Sequence, residues 1–405
     1  MSSAAAGSLR HSVRSLPRGV WFLFLGTFVN RFGTFVVPFL VLYLTHMGFS
    51  IARAGAAAGA YGIGHIAASI LGGFLADHFG RRNTIALSMF STAIALMLLY
   101  QARGFGWIVA FAALSGLAAE MYRPAAQALI ADLVPEQQRL TAYSIYRLAA
   151  NAGFAFGPAL AGFLAHRSYF YLFAGDAATA AGYGIIALSL LPRASTSTRS
   201  RTVGAWKGYG IAMRDRRLLF ILLASLAITF VIFQFGSTVP LHVRDAGMTE
   251  TAYGLFLSLN GVLIVFFELP LTAVTRRYPP RRVIALGILL LGIGFGGIGL
   301  ARTPAAMVAV VCLWTLGEIT ALPLLAAFVA NLAPEEFRGR YMGLWGLSFS
   351  IGIAAGPWVG SLLYAWHPFV LWLLCPILGF TSAVLVSFEP RSTERAAQGS
   401  GAVTP

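Results

Sequence analysis

The sequence predicts an all-α membrane protein, with twelve transmembrane helices forming two pseudo-symmetric six-helix bundles. Three observations carry that expectation. The 405 residues are 58% hydrophobic and only 11% charged, with a mean hydropathy of +0.76. A soluble domain has about 45–50% apolar and about 25% charged residues, and so few charges cannot cover a soluble body of this size. Soluble enzymes and disordered chains are therefore excluded. The apolar residues also fall in twelve runs, each close to the roughly 20 helical residues that cross a hydrocarbon core of about 30 Å. Finally, the second half of the chain repeats landmarks of the first at a fixed offset.

The first run, 19–44, follows Arg10, Arg14 and Arg18. It is longer than the about 7–15 residues of a signal-peptide core, so it is expected to be a retained span. Spans 2 to 6 are expected at 54–76, 84–102, 107–131, 142–165 and 170–191. Spans 7 to 12 follow at 218–243, 252–275, 283–301, 304–332, 342–364 and 368–388. The chain thus divides into a tail (1–18), a bundle (19–191), a Ser/Thr-, Arg- and Gly-rich loop (192–217), a second bundle (218–388) and a tail (389–405). Backbone groups in lipid must bond internally, so each run reads as a helix. Within the loop, the stretch from Trp206 to Arg214 reads as an amphipathic helix on the membrane surface.

Lys and Arg number 29 against 14 Asp and Glu. With the N-terminus in the cytoplasm, 21 of the bases fall in cytoplasmic segments. Five (Arg53, Arg103, Arg167, Arg244 and Arg302) fall outside, and three (Arg31, Arg123 and Arg147) lie within spans. That asymmetry predicts both termini in the cytoplasm. It also accounts for the basic balance without nucleic acid, for which no surface module is present. The expected partners are the lipid bilayer, a small-molecule substrate and protons, and the expected state is a monomer. Cys312 and Cys375 both sit in apolar runs and read as small buried residues. Neither a metal cluster nor a phosphate-cradling Gly-Lys-Ser/Thr run is apparent, so no cofactor is expected.

The repeat has an offset of 199. It maps Leu133, Pro135, Glu136 and Arg139 onto Leu332, Pro334, Glu335 and Arg338. It also carries Pro124 onto Pro323, and Gly153, Gly157 and Pro158 onto Gly352, Gly356 and Pro357. Duplicated bundles of this kind place a substrate path at their interface, near the bilayer midplane.

At the loop between spans 2 and 3 the chain resembles the major facilitator superfamily. Gly73, Asp77, Gly80, Arg81 and Arg82 match that family's signature loop in type and spacing. Gly73 is expected to admit a neighbouring helix, Gly80 to make a tight turn and Asp77 to pair with a base. The second-half counterpart keeps Arg281 and Arg282 but has Arg277 and Pro280 in place of the aspartate and glycine. In span 5, Gly153, Gly157, Pro158 and Gly162 are similar to the glycine-proline motif of drug/proton antiporters, with Pro158 expected to bend the helix. The drug exporters' span-4 arginine is missing, because Ala112 stands four residues before Gly116. The resemblance implies a non-enzymatic secondary transporter that exports amphiphilic, drug-like compounds against protons across a bacterial inner membrane. A nutrient or metabolite-anion importer or symporter remains an alternative, as does a non-transporting receptor-like protein or an intramembrane enzyme.

Ionisable groups inside spans are costly, at about 2.5–3.5 kcal/mol each, and so are functional candidates. Glu120 and Arg123 lie three apart on span 4. With Arg31 they form the expected proton-coupling group, against the plainer reading of a permanent ion pair. Asn30, Asn151, Arg147, Asn260, Trp314 and Glu318 are the candidate substrate contacts, with Trp314 and Glu318 as an aromatic and acidic wall suited to a lipophilic cation. Glu268, beside Pro270, joins the signature loop as a candidate cytoplasmic gate. Asp176 is expected to cap or pack, and His65 to be a hydrogen-bonded packing residue. Tyr61, Phe35, Phe233 and Phe256 are possible cavity residues, whose orientation the sequence leaves open.

Overall fold

The computed structural model describes residues 16–193, 213–275, 277–333 and 338–388. Most of the surface helix expected from Trp206 to Arg214, and the repeated Pro334 and Glu335, lie outside the described residues. Twelve helical passages are long and apolar enough to cross a membrane. The first six are Arg18–His46, Ile51–His78, Arg81–Gln101, Phe105–Leu133, Thr141–Arg167 and Tyr169–Leu190. The second six are Arg216–Gly236, Glu250–Thr275, Pro280–Leu300, Pro304–Leu332, Arg340–Trp366 and Pro368–Ser387. They are numbered spans 1 to 12, and no strand occurs among the described residues. Their outer faces carry large apolar side chains that a soluble protein would bury, among them Phe163, Phe266 and Leu269. Cys375 is buried as expected, but Cys312 is exposed on the surface of span 10.

The duplication extends to the helix boundaries. Ile51 and Glu250, Arg81 and Pro280, Phe105 and Pro304, and Tyr169 and Pro368 all start helices, and each pair is 199 residues apart. Spans 1 and 7 are interrupted at matching places. Span 1 breaks between Phe32 and Val36, and span 7 passes through a 3-10 turn at Phe233–Gly236 before Thr238–Asp245. The two breaks are satisfied by different chemistry. In the first half, Asp176 of span 6 accepts the amides of Phe35 (3.1 Å) and Val36 (3.0 Å), capping the restarted helix. In the second, Gln234 accepts from the Thr238 hydroxyl (2.9 Å) and donates to the Gly356 carbonyl of span 11 (3.0 Å).

The halves meet through spans 2 and 11 and through spans 5 and 8. The close approaches lie in the parts of these helices distal to the chain ends. A Cβ on Gly254 would strike the Pro158 carbonyl and the Gly162 backbone, and one on Gly62 would lie 2.5 Å from the Ala354 Cα. The Tyr253 hydroxyl closes the same end, reaching the carbonyls of Phe235 (2.6 Å) and Pro38 (3.1 Å). Nearer the chain ends, Arg147 of span 5 pairs with Glu268 of span 8.

Candidate functional site

A cavity of about 720 Å³ lies between the halves, and its two walls differ in kind. The first-half wall carries Arg31, Tyr61, His65, Glu120 and Arg123. The second-half wall carries no ionisable side chain among the described residues, and sets Phe233, Phe235, Trp345 and Phe349 beside Ser350. Among the described residues Glu120 is the only carboxylate lining it.

Glu120 sits where span 4 is wedged open. The Ser88 hydroxyl of span 3 donates to the Ala118 carbonyl (2.5 Å) and accepts from the Tyr122 amide (3.0 Å). Those two groups would otherwise bond to each other as i and i+4, so the inserted hydroxyl interrupts the helix at Met121. Gly72 of span 2 lets the Met121 backbone close in from another side. The signature loop's Gly73 has nothing within 4 Å of its Cβ position. The expected close approach is therefore made one residue earlier.

Three cationic or titratable groups converge on the Glu120 carboxylate. Arg31 donates to Oε1 (3.2 Å), the Arg123 Nε lies 3.1 Å from Oε2, and the His65 Nε2 lies 3.6 Å from Oε2. The Arg31 guanidinium also lies 5.9 Å from the Tyr122 ring centroid. Glu120 is 9% exposed in its side chain against 46% for Arg123, so the second arginine reaches into the cavity. The terminal nitrogens of Arg123 have no protein partner among the described residues. His65 corrects the sequence reading: instead of packing with a hydrogen bond, its Nδ1 is buried without a partner and its other nitrogen faces the carboxylate. Tyr61 and Phe233 line the cavity, whereas Phe35 and Phe256 are buried elsewhere.

Several expected substrate contacts are not in this wall. Trp314 stacks on Phe295 of span 9 with centroids 4.7 Å apart, and is 3% exposed. Asn260 donates to the Thr315 hydroxyl and to Glu318, both at 3.0 Å, inside the second half. Neither Trp314 nor Glu318 lines the cavity, so the expected aromatic and acidic wall does not form. Asn30 turns to the Met89 sulfur (3.4 Å), and Asn151 is half-buried outside the lining. Arg147 does not line the cavity and pairs instead with Glu268.

The motif residues do structural tasks that can be stated. Gly80 has φ +84°, the turn its position required. Arg81 is buried, bonds Asp77 (2.5 Å), and reaches Asp132 at the end of span 4 (3.3 Å), which ties the loop to that helix. Gly153 and Gly157 bring span 5 against the Phe28 and Phe32 backbone of span 1, while Gly162 faces span 8. The helix continues unbroken through Pro158.

The sequence matches the Major Facilitator Superfamily profile over residues 23–252 and 235–404. It is 28% identical to the MFS-type transporter YqjV of Bacillus subtilis, covering 84% of this chain and 85% of that one. It is 27% identical to the multidrug resistance protein MdtH of Aeromonas hydrophila, covering 92% and 96%. A Na(+), Li(+), K(+)/H(+) antiporter of Planococcus maritimus is 24% identical, covering 89% and 90%. Among solved structures, a peptide transporter POT in complex with sulfate superposes with a TM-score of 0.76 at 18% identity, covering 94% and 96%. A D-xylose-proton symporter superposes with 0.75 at 15% identity, covering 92% and 98%. At those identities the two structures establish the fold.

Proposed function

The chain belongs to the Major Facilitator Superfamily, whose members are membrane transporters and not enzymes, and from that premise we propose that it exports small amphiphilic compounds in exchange for protons. The observation that carries this reading is Glu120, the single carboxylate lining the cavity among the described residues, held between Arg31 and Arg123. A carboxylate flanked by guanidiniums stays ionised until its surroundings change, and movement of the halves changes them. A cationic or polarised amphiphile and a proton would compete for that one anion. Mutual exclusion of this kind is the condition for exchange rather than co-transport. The span 5 glycines and the full-length likeness to MdtH and to a cation/proton antiporter support the same reading. The arginine asymmetry supports both chain ends on the cytoplasmic side, and the same reading sets the protein in a bacterial inner membrane. The sealed distal end then faces outward and the cavity faces the cell interior. On this reading the Asp77–Arg81–Asp132 contacts and the Arg147–Glu268 pair form the cytoplasmic gate, with Arg82 beside them, and one chain suffices to build the path.

The test is purified protein in liposomes loaded with a pH-sensitive dye, presented with lipophilic cations, neutral amphiphiles and organic acids. Export should drive protons in the opposite direction and stop when the gradient is collapsed. Glu120→Gln should lose the proton movement. Undiminished coupling in that variant would sink the reading.

One observation favours a second reading. The free end of Arg123 can hold a substrate carboxylate bidentately. Such a substrate would draw Arg123 away from Glu120 and favour its protonation, so that acid and proton would travel together. In the same liposomes, proton movement in the direction of an organic acid would select this symport.

A further inference from the structure

The polar surroundings of Glu120 extend beyond the main cavity. A narrow cleft between spans 1, 2, 3, 4 and 6 has both Glu120 and Asp176 in its walls, with Thr34, Tyr61, Thr92 and Ser115 between them. Its volume of about 20 Å³ has room for roughly one water. Tyr61 lines the cleft and the central cavity alike, and its hydroxyl has no hydrogen-bond partner among the described residues.

Asp176 itself is 6% exposed and has no basic side chain within ion-pair distance among the described residues. The two amides it caps both bind Oδ2, and Oδ1 accepts no protein hydrogen bond there. An ionised carboxylate held inside a membrane bundle without a cation is expensive. The other titratable or charged groups on the cleft are Arg31 from span 1, Tyr61 from span 2 and Glu120 from span 4. Span 3 contributes the Thr92 hydroxyl, and span 5 approaches at Gly175 with the apolar Leu164. A proton is therefore the available neutraliser for Asp176, and the cleft is a route for it.

We infer that Asp176 is a second proton-binding site, exchanging with Glu120 through the Tyr61 hydroxyl and a single water. This rests on the reading of Glu120 as the coupling carboxylate. The step conserves charge: the O–H bond of protonated Glu120 breaks, one forms on Asp176, and the carboxylate charge moves the other way. Protonation of Asp176 also weakens its charge-assisted hold on the Phe35 and Val36 amides. Proton arrival thereby loosens the point where span 1 is interrupted.

The experiment is infrared difference spectroscopy of the full chain in lipid across a pH titration, following the carboxylic-acid stretch. Asp176→Asn keeps an oxygen for the two amides and removes the titration. Glu120→Gln should lose one band and keep another, and the second should vanish in Glu120→Gln/Asp176→Asn. In Tyr61→Phe both bands should persist at their midpoints, while the Asp176 band should rise more slowly after a pH jump. Superimposable spectra for Glu120→Gln and the double variant would overturn the site. If Glu120→Gln removes no band, the coupling reading of Glu120 fails and the relay with it, while the Asp176 band still reports on the site alone. Should Asp176→Asn not fold, ¹³C-aspartate labelling of the otherwise native protein serves instead. No shifted acid band sensitive to Tyr61→Phe would then count against the proposal.

Discussion

Ser88 and Gly287 occupy equivalent positions 199 residues apart, and they give spans 4 and 10 different backbones. The Ser88 hydroxyl stands between the Ala118 carbonyl and the Tyr122 amide. A Cβ on Gly287 would lie 2.8 Å from both the Gly317 carbonyl oxygen and the Ala321 nitrogen, the matching groups of span 10. With only hydrogen there, span 10 runs uninterrupted from Pro304 to Leu332.

Ser88→Ala should accordingly let the Ala118 carbonyl and the Tyr122 amide rejoin. Two bonds through the hydroxyl become one direct bond, a net change of about 1 kcal/mol at most. The melting temperature should move by only a few degrees, whereas proton-coupled flux should fall several-fold because Glu120 turns with its helix. A flux equal to wild type would show that the interruption does not position the carboxylate.

Tyr253→Phe keeps the ring against Phe39 and removes the hydroxyl that reaches Pro38 and Phe235. The loss is about 0.5–1.5 kcal/mol, or roughly 2–10-fold in the balance between closed and open distal ends. Labelling of a Val37→Cys reporter from the distal side, in a Cys312→Ser background, should quicken by that factor.

The signature-loop glycines should separate cleanly. Gly73→Ala meets open space and should be silent in both stability and transport. Gly72→Ala places a methyl 2.5 Å from the Met121 carbonyl oxygen and should impair transport. At the junction of the halves, Gly254→Val forces a branched side chain against backbone that has no rotamer to yield. Its expected result is a folded protein that cannot seal its distal end, seen as normal elution, rapid distal labelling and no transport.

The Arg147–Glu268 pair is testable by charge exchange. Arg147→Glu alone sets two acids face to face and should slow transport. Arg147→Glu with Glu268→Arg should recover most of the loss, with a coupling of about 0.5–3 kcal/mol across the cycle. Absence of recovery would remove the pair from the gate.

The sequence made some of this legible for physical reasons. Span number and duplication follow from the bilayer's length requirement and from repeated proline and glycine positions. The Glu120–Arg123 contact follows from i, i+3 spacing within one span, and it survives the interruption at Met121. Orientation was harder, because helices that are apolar on every side do not mark which face turns inward. Trp314 and Glu318 therefore read as cavity residues, although span 10 turns Trp314 toward span 9 and binds Glu318 to Asn260. Ser88 gives no signal of its own, and His65 reads only as a packing residue. Each acquires its task from a helix that the sequence does not show beside it. Comparing the halves would have exposed Ser88, since its counterpart is a glycine.

The contrast between the cavity's two walls has a consequence for how such a protein can diversify. Among the described residues every ionisable lining group comes from the first half and most of the aromatic surface from the second, so on the proposed reading cargo and drive are written in separate stretches of chain. Changes at Trp345, Phe349 or Ser350 can retune what fits without rewiring the Arg31–Glu120–Arg123 group. On that reading a duplicated scaffold can keep its engine in one half and exchange the glove in the other.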